Sequence, residues 1–414
     1  MLRAASLMLL FAIPATAAPP VIEVKGGKTD QTNVVVTAPL PKDAGAGVNV
    51  VELPNGQHAA AQVGSASLFA TDPKSQYLTF VLPKLAAGQT VSVRPGTLNY
   101  IKPQPQFAFT DKKGEYTDLA FNKQPVLRFK NAPHDTSTPD KHALTFKPFH
   151  QVFDPEKGET LLSSDAYTWT DKTVLFPHHR GLFFGFAKIS YGDKKGIDTW
   201  HGRKNEFTEH EKVLLREAGE VFGRERDAIS WNGQSKDRFA DEQREVTVYR
   251  VPGGTLIDWS STISTTQDKV TLDGDPQHAG FHFRATQEVS QKTKGETYYL
   301  RPDGKDAPGK TRNWDPKGND PRTLNIPWSA MSFVTGGKRY TALRINSPLN
   351  PKDARGSERD YGRFGDYFVY DITPTTPLKV RYRVWVQEGE LTVEQAAAMA
   401  DAFVNPPTVA VIAK

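Results

Sequence analysis

Apolar and polar residues alternate with a period of two along most of this sequence, as in "QREVTVYRVPGGTLIDWSSTIS" and "LKVRYRVWVQEG". Successive side chains of a β-strand point to opposite faces, so this pattern is typical of half-buried strands. Turn signals such as the Pro-Asn-Gly run that begins at Pro54 separate the strands. One helix is predicted, near the C-terminus, with Thr392 as its N-cap and Gln395 in the capping-box position. The sequence therefore predicts an all-β protein with a short C-terminal helix.

The strand pattern predicts two β domains that meet near residue 105. Residues 19–105 hold short β-rich runs separated by turns, which favours a small Ig-like β-sandwich with an accessory role. Residues 106–405 hold longer strands and more aromatic residues, more than one Ig-like sandwich needs. We expect a large antiparallel two-sheet sandwich there, of the kind that binds sugars across a concave face. The proline-bearing segment "NYIKPQPQF" marks the boundary.

Residues 1–18 have the features of a secretory signal peptide. Arg3 precedes an apolar run that ends at Ile13, and small residues follow at Ala15 and Ala17. The apolar run is too short to span a bilayer, and no later segment is long enough to do so. An uncleaved interfacial anchor is the alternative. We expect cleavage near Ala17 and a secreted or periplasmic protein that has no membrane span.

Composition narrows the chemistry that the chain can perform. Its 414 residues include no cysteine, which removes disulfides, thiolate metal sites and cysteine nucleophiles. The net charge is +5, from 52 basic and 47 acidic residues that are scattered among each other. Because the cations form no sustained stripe, we do not expect nucleic acid as a partner.

Two motifs concentrate histidine, of which the chain has only 10. In "FPHHRGLFFGFA", His178, His179 and Arg180 precede an alternating strand. Imidazole there can act as acid, base or metal ligand, because its pKa lies near neutrality. In "DPQHAGFHFRA", alternation places His278, Gly280, His282 and Arg284 on one face and apolar residues on the other. The alternative is a solvated sheet face with surface histidines. We expect the two motifs to face one cleft.

Three other segments contribute candidate residues. "DTWHGRKNEF" offers Trp200, His201 and Glu206. The long polar loop after residue 294 contains Trp314, which either stacks on a sugar ring or anchors the loop. "SERDYGRFGDYF" contains Arg359, Tyr361 and Arg363. These residues could hold a carboxylate or several hydroxyls of a ligand, or could instead pair with neighbouring aspartates.

Metal binding is an alternative for the histidines. Four imidazoles in two short clusters are enough for a metal site, but no HExxH spacing accompanies them. We therefore predict neither a metal site nor a cofactor, and keep a metal ion as the second interpretation.

The order of these motifs carries a resemblance. "PHHRGLFFGF", "GIDTW", "HAGFHFRA" and "RDYGRFGDYF" follow one another as in the PmoA-like family of secreted bacterial proteins, which this chain resembles from about residue 106 to residue 400. The family's name refers to a methane oxygenase subunit, but that protein spans the membrane, so its activity is not implied here. The resemblance implies a setting in carbohydrate degradation and a supersandwich similar to that of galactose mutarotases, polysaccharide lyases and hydrolases.

We weigh two classes of function. The first is an exported carbohydrate-active enzyme, a lyase, hydrolase or epimerase acting on a glycan or glycoside, with a cleft centred on histidine and arginine. The second is a non-catalytic glycan-binding protein. A third reading is a metal-dependent enzyme whose ion the histidines bind. The predicted catalytic residues are His178, His179, His282 and Glu206. The predicted substrate-binding residues are Arg180, Trp200, His201, His278, Arg284, Trp314, Arg359, Tyr361 and Arg363. The sequence predicts no oligomeric state.

Overall fold

The computed structural model describes residues 20–41, 44–100, 104–275, 277–314 and 319–412. The predicted signal peptide lies outside these residues, and so does the middle of the predicted boundary segment, residues 101–103. Within the described ranges, no helix combines the length and the apolar character that crossing a membrane requires.

The regular secondary structure of the described chain consists mostly of strands. The N-terminal strands are β1 (Val21–Lys25), β2 (Gln31–Pro39), β3 (Val50–Glu52), β4 (His58–Gly64), β5 (Tyr77–Leu85) and β6 (Thr90–Gly96). The body begins with β7 (Phe107–Lys112), β8 (Tyr116–Phe121), β9 (Gln124–Lys130), α1 (Pro139–Thr145), β10 (Phe149–Val152), β11 (Leu182–Phe186), β12 (Lys188–Tyr191) and β13 (Lys194–Ile197).

The central strands of the body are long. They are β14 (Phe207–Ala218), β15 (Phe222–Asn232), β16 (Arg238–Val251), β17 (Gly254–Ser264), β18 (Val270–Asp273), β19 (Ala279–Arg284), β20 (Tyr298–Arg301) and β21 (Gly304–Lys305). The last elements are β22 (Trp328–Thr335), β23 (Lys338–Asn346), β24 (Arg355–Arg359), β25 (Arg363–Tyr367), β26 (Tyr370–Ile372), β27 (Leu378–Glu388), α2 (Val393–Val404) and β28 (Thr408–Ile412).

The N-terminal strands form one seven-stranded sheet in the order β2-β5-β4-β3-β6-β1-β28. Its two outer strands, β2 and β28, also contact each other, so the sheet folds back on itself. Alternate residues of β2 are buried, among them Val34, Val36 and Ala38, and they pack with Phe80 of β5 in the core of this sheet. The last strand of the chain thus completes a sheet that the first strands begin.

Two large antiparallel sheets form the body and pack face to face. One has the order β14-β15-β16-β17-β27-β23-β22-β20-β21, and the other β24-β25-β19-β11-β10-β9-β8-β7. Aromatic side chains join them across the core: Phe281 of β19 stacks on Tyr382 of β27 at 4.4 Å and lies 4.7 Å from Trp259 of β17, measured between ring centroids. The predicted all-β fold with a large two-sheet sandwich is confirmed.

A four-stranded sheet, in the order β13-β12-β18-β26, lies beside the two large ones. Strand β12 pairs antiparallel with β13 on one side and β18 on the other, and Ile189 of β12 faces both Ile197 and Leu272. Strands β13 and β18 therefore run in the same direction and end at the same edge. This edge positions two loops of the candidate site.

Each of the two α-helices in the described chain begins just after a threonine that caps it. The predicted C-terminal helix is α2, and the capping box between Thr392 and Gln395 is present. A second helix, α1, ends in "ALTFKPFHQVFDP", a segment where no helix is predicted from the sequence. Thr138 accepts a hydrogen bond from Lys141 N, and Pro139 occupies the first turn. This Thr-Pro start favours a helix, and the strand begins only at Phe149.

Candidate functional site

The two histidine motifs meet in space. Strands β11 and β19 pair side by side, with Phe183 opposite His282. The segment before β11 lies against this pair, since the ring of His178 is 6.4 Å from that of His278 between centroids, and His179 is 6.0 Å from Phe183. The clusters that the sequence separates by about a hundred residues are therefore neighbours on one side of the sandwich.

Alternation along β19 divides its side chains as predicted. Phe281 and Phe283 belong to the main core, while His282 and Arg284 point to the opposite face. That face is not solvated, because both polar residues have no exposed surface. Gly280 has φ +88, and a Cβ there would overlap the carbonyl oxygen of Asp366 on β25. Glycine thus lets β19 and β25 approach closely beside the site.

His282 is held on both sides of its ring. Its Nε2 donates to the carbonyl oxygen of Ala279 at 2.8 Å, and its Nδ1 accepts from Arg363 at 3.0 Å. Burial lowers its pKa well below the usual range, and Arg363 and Arg344 add to the effect. With both ring nitrogens engaged, His282 has no free atom for the predicted catalytic role, and its contacts are those of a positioning residue.

The buried arginines also bind protein groups. Arg180 donates to the carbonyl oxygens of Ala143 and Leu144 in α1 and of Lys147 just after it. Burial lowers the pKa of Arg180 to about 9. Its guanidinium closes the end of the helix, where carbonyls lack intrahelical partners. These contacts account for its position, and its role in substrate binding stays a prediction.

Arg284 and Arg363 are arranged around Tyr361. Arg284 donates to the carbonyl oxygen of Tyr361 and lies 4.9 Å from its ring, and burial lowers the pKa of Arg284 to about 10. Arg363 donates to Tyr361 Oη at 3.3 Å, to the carbonyl oxygen of Gln277 at 3.0 Å and to Ser357 Oγ at 3.2 Å. The two guanidiniums therefore fix the tyrosine at the edge of the site. All three nitrogens of Arg363 bond to protein groups, which does not favour direct substrate binding, whereas Arg284 Nε has no acceptor among the described residues.

His178 and His179 form the floor of the site. They are 4% and 2% exposed, and none of their four ring nitrogens has a hydrogen-bond partner among the residues that the structure describes. The rings are 4.3 Å apart between centroids. Burial lowers the pKa of both imidazoles well below the usual range, so both are neutral at pH 7. A buried polar atom without a protein partner is uncommon, and such an atom can bind a water, an ion or a ligand.

His201 and His278 approach the floor from the two loops that leave β13 and β18. Their rings lie 4.9 Å apart between centroids, and that of His201 is 4.4 Å from His178. Each imidazole donates through Nδ1 to an aspartate three residues earlier, His201 to Asp198 at 2.8 Å and His278 to Asp275 at 2.8 Å. Their side chains are 21% and 31% exposed. We call His178, His179, His201 and His278 the four-histidine cluster.

The remaining predicted residues fall into two groups. Trp200 is fully buried between Phe183 and His282, so it supports the cluster from below. Glu206 is also buried and accepts from Lys204 N and Gln234 Nε2, with no contact to the histidines in the described chain.

Arg359 is the last residue of β24, and Trp314 lies beside this strand. Trp314 N donates to Gly356 O, and the Arg355 guanidinium is 5.8 Å from its ring. Arg359 donates to the side chain of Asn313. Neither residue contacts the four-histidine cluster among the residues that the structure describes.

Several residues of the site carry no role in the sequence-based prediction. Asp198 pairs with His201 in the same way as Asp275 pairs with His278. The shared spacing Asp-x-x-His in "DTWH" and "DPQH" is a sequence signal that could have revealed the role of Asp198. Lys147 is 2% exposed and donates to Trp200 O at 2.5 Å. Burial and the nearby Arg180 lower its pKa well below the usual range.

Comparison with known proteins adds one family. The family model DUF6807, a family of unknown function, matches residues 116–401. No curated protein matches the sequence. The resemblance to PmoA-like proteins is not part of this match and stays a prediction.

Two solved structures are similar to this chain. One is a protein in glycosyl hydrolase family 38 from Enterococcus faecalis, with 11% identity and a TM-score of 0.44 over 95% of this chain. This chain spans about half of that protein, 47% of its length. The other is a galactose mutarotase-like protein from Clostridium acetobutylicum, with 10% identity and a TM-score of 0.29, covering 67% of this chain and 94% of that one. At these scores neither likeness bears on function. The match over residues 116–401 shows that the chain belongs to the DUF6807 family.

Proposed function

We propose that this protein is an exported enzyme that acts on a carbohydrate at the four-histidine cluster. One observation carries the proposal: His178 and His179 are buried and neutral, and their ring nitrogens have no hydrogen-bond partner in the described part of the chain. Each buried nitrogen without a partner costs about 1–3 kcal/mol of folding free energy. A fold that leaves four such atoms together keeps them for a ligand or a reaction.

The contrast with His282 supports this interpretation. His282 lies 5.9 Å from Phe183, but both its nitrogens are bonded within the protein. It shows what a structural histidine looks like in this fold. His178 and His179 have neutral imidazoles of the kind that accept a proton or bind a Lewis acid.

Aromatic rings border the cluster at the surface. Phe176 is 37% exposed, and its ring is 5.2 Å from His179 and 5.0 Å from Tyr361 between centroids. Its φ of +55 is unusual for a residue other than glycine and costs about 1–3 kcal/mol, which structures tolerate mainly at functional sites. An apolar ring at the surface is suited to stacking on the flat face of a sugar.

The substrate class and the export of the protein rest on the sequence. The resemblance to PmoA-like proteins implies a carbohydrate-degrading setting, and the residue pattern of 1–18 favours secretion or a periplasmic location. The reaction is hydrolysis, β-elimination or epimerisation. A non-catalytic glycan-binding protein would use the same surface without turnover.

Product analysis on a panel of neutral and uronic-acid-containing glycans tests the proposal. We expect one substrate to be converted by the wild type, and we expect kcat to fall about 10²- to 10⁴-fold in His179→Ala. His179→Asn, which fills more of the space, guards against a folding defect. His58→Ala is the matched control, because His58 is an exposed histidine of the N-terminal sheet. Binding of a glycan without turnover by the wild type would contradict the enzyme and favour the binding protein.

A further inference from the structure

We propose that His178, His201 and His278 bind one divalent transition-metal ion. We call these residues the three-histidine site. The inference deepens the proposed function, since only the catalytic use of the ion depends on that function. Ion binding itself depends on the geometry alone.

The positions of the three imidazoles suit a shared ion. One ring nitrogen from each lies within 4.8 Å of the others. In a tetrahedral site with metal–nitrogen distances of about 2.1 Å, ligand nitrogens are about 3.4 Å apart. His201 and His278 belong to loops and are partly exposed, so small rotations of these two rings can close the difference.

His178 supplies the buried ligand. It is 4% exposed, and within the described ranges neither Nδ1 nor Nε2 has a protein partner. Its ring is tilted by 54° to His201 and by 50° to His278, so the three rings are not stacked. Its nitrogens are therefore available to a metal ion.

The other two ligands are oriented by carboxylates. His201 donates through Nδ1 to Asp198 Oδ2, and Asp198 Oδ1 accepts from the backbone nitrogens of Trp200 and His201, which fixes the carboxylate. His278 donates through Nδ1 to Asp275, which also accepts from Gln277 N. With Nδ1 engaged, the Nε2 lone pair of each ring is left for a metal ion. A carboxylate behind a histidine is the usual second layer of metal sites.

Two strands in equivalent positions lead into the two carboxylate–histidine pairs. Strands β13 and β18 flank β12 and end at the same edge, and each is followed by an Asp-x-x-His segment. The repetition makes a chance approach of two surface histidines a poor explanation. The two carboxylates also supply two negative charges, which offset the charge of a divalent ion. Such an offset is needed because Lys147 and Arg363 are basic residues of the same region.

The ligand set indicates the class of ion and its use. Three imidazoles suit zinc and its first-row neighbours, whereas magnesium and calcium prefer oxygen ligands. Three protein ligands leave a fourth position open, as in catalytic zinc sites. When bound there, an ion lowers the pKa of a coordinated water or polarises a substrate oxygen. His179 stays free beside the ion as an acid or base.

Metal titration of the full chain tests the inference without any substrate. Protein prepared without a histidine tag is treated with a chelator and then titrated with Zn²⁺ in a calorimeter and with Co²⁺ in a spectrophotometer. We expect one ion per chain and the visible absorption of four-coordinate Co²⁺. His201→Ala and His278→Ala should each weaken Zn²⁺ binding at least about 100-fold. Asp198→Asn and Asp275→Asn should each weaken it about 10- to 100-fold.

Two controls separate the site from general effects. His58→Ala removes an exposed histidine elsewhere and should leave the affinity and the stoichiometry unchanged. His179→Ala should retain the ion. Because His201 and His278 are partly exposed, their variants are expected to fold, which circular dichroism checks.

Failure of this inference differs from failure of the proposed function. Absence of stoichiometric Zn²⁺ and Co²⁺ binding, or equal affinity in the wild type and the His201→Ala/His278→Ala double variant, overturns the metal site. The glycan assay judges the enzyme separately, since turnover by chelator-treated protein would retain the enzyme and exclude a catalytic ion.

Discussion

Gly365 of β25 should resist substitution because the imidazole of His282 lies directly against it. A Cβ at Gly365 would be 2.5 Å from His282 Cδ2 and closer still to Cγ and Nδ1. The ring cannot retreat freely, because Trp200 lies on it at 4.9 Å between centroids and both its nitrogens are bonded. Gly365→Ala therefore forces the ring and its hydrogen bonds to move.

The expected cost follows from these contacts. Relief of the overlap needs a shift of about 1 Å to reach ordinary contact distance, and such overpacking costs about 1–3 kcal/mol. The same shift lengthens the 3.0 Å bond from Arg363 to His282 beyond hydrogen-bond range, and a bond to a charged group is worth about 1.5–3 kcal/mol. Together these two costs lead us to expect that Gly365→Ala lowers the free energy of unfolding by about 2.5–6 kcal/mol.

Denaturant unfolding, followed by tryptophan fluorescence, measures this loss. Gly295→Ala is the control, because an added Cβ there meets nothing within 4 Å and its effect should stay within about 0.5 kcal/mol. In a His282→Ala background the ring is gone, so Gly365→Ala should cost less than about 1 kcal/mol. A Gly365→Ala effect equal to the control, or the same cost in both backgrounds, would refute the reasoning.

Two further predictions concern residues beside the site. Arg180→Met should lower the free energy of unfolding by about 2–4 kcal/mol, because the carbonyls at the end of α1 lose their buried donor. Arg203→Met is the control: Arg203 is exposed, so this variant should have little effect in the same denaturant assay. Burial and His142 lower the pKa of His134 to about 4, so its neutral form stabilises the fold above pH 6.5 and that contribution is lost as the pH falls from 6.5 to 4. Since His134 is only half-buried, we expect a loss of about 1 kcal/mol, and His134→Phe should flatten this part of the curve of unfolding free energy against pH; an unchanged curve would contradict the assignment.

The strand pattern of this chain could be predicted because it is local. A period of two marks the faces of β19 whatever strand lies beside it, and the capping box of Thr392 marks the start of α2. Helix α1 was missed, because the apolar residues after Thr138 fit a strand as well as a short helix.

The membership of the site could be predicted only in part. Histidine is rare enough here that its clusters drew attention, but their convergence depends on β12 pairing with both β13 and β18, a contact between segments distant in sequence. Residue type alone supports the prediction of Glu206, Trp314 and Arg359 as site residues. It does not show which loop reaches which face of the sandwich. The roles of buried arginines are the hardest to predict from sequence. Arg180 binds backbone carbonyls, and because every residue has one, no sequence motif indicates such a contact.

The pairing of the last strand with the first determines how this protein would respond to mechanical force. In the β1–β28 pair, Val21 lies opposite Ile412 and Lys25 opposite Thr408, so the start of β1 and the end of β28 lie at the same end of the ladder. Tension between the ends pulls across the hydrogen bonds and breaks them one at a time, which needs far less force than shearing them together. The N-terminal sheet would open first, and β28 would detach while the two large sheets and the four-histidine cluster carry little load.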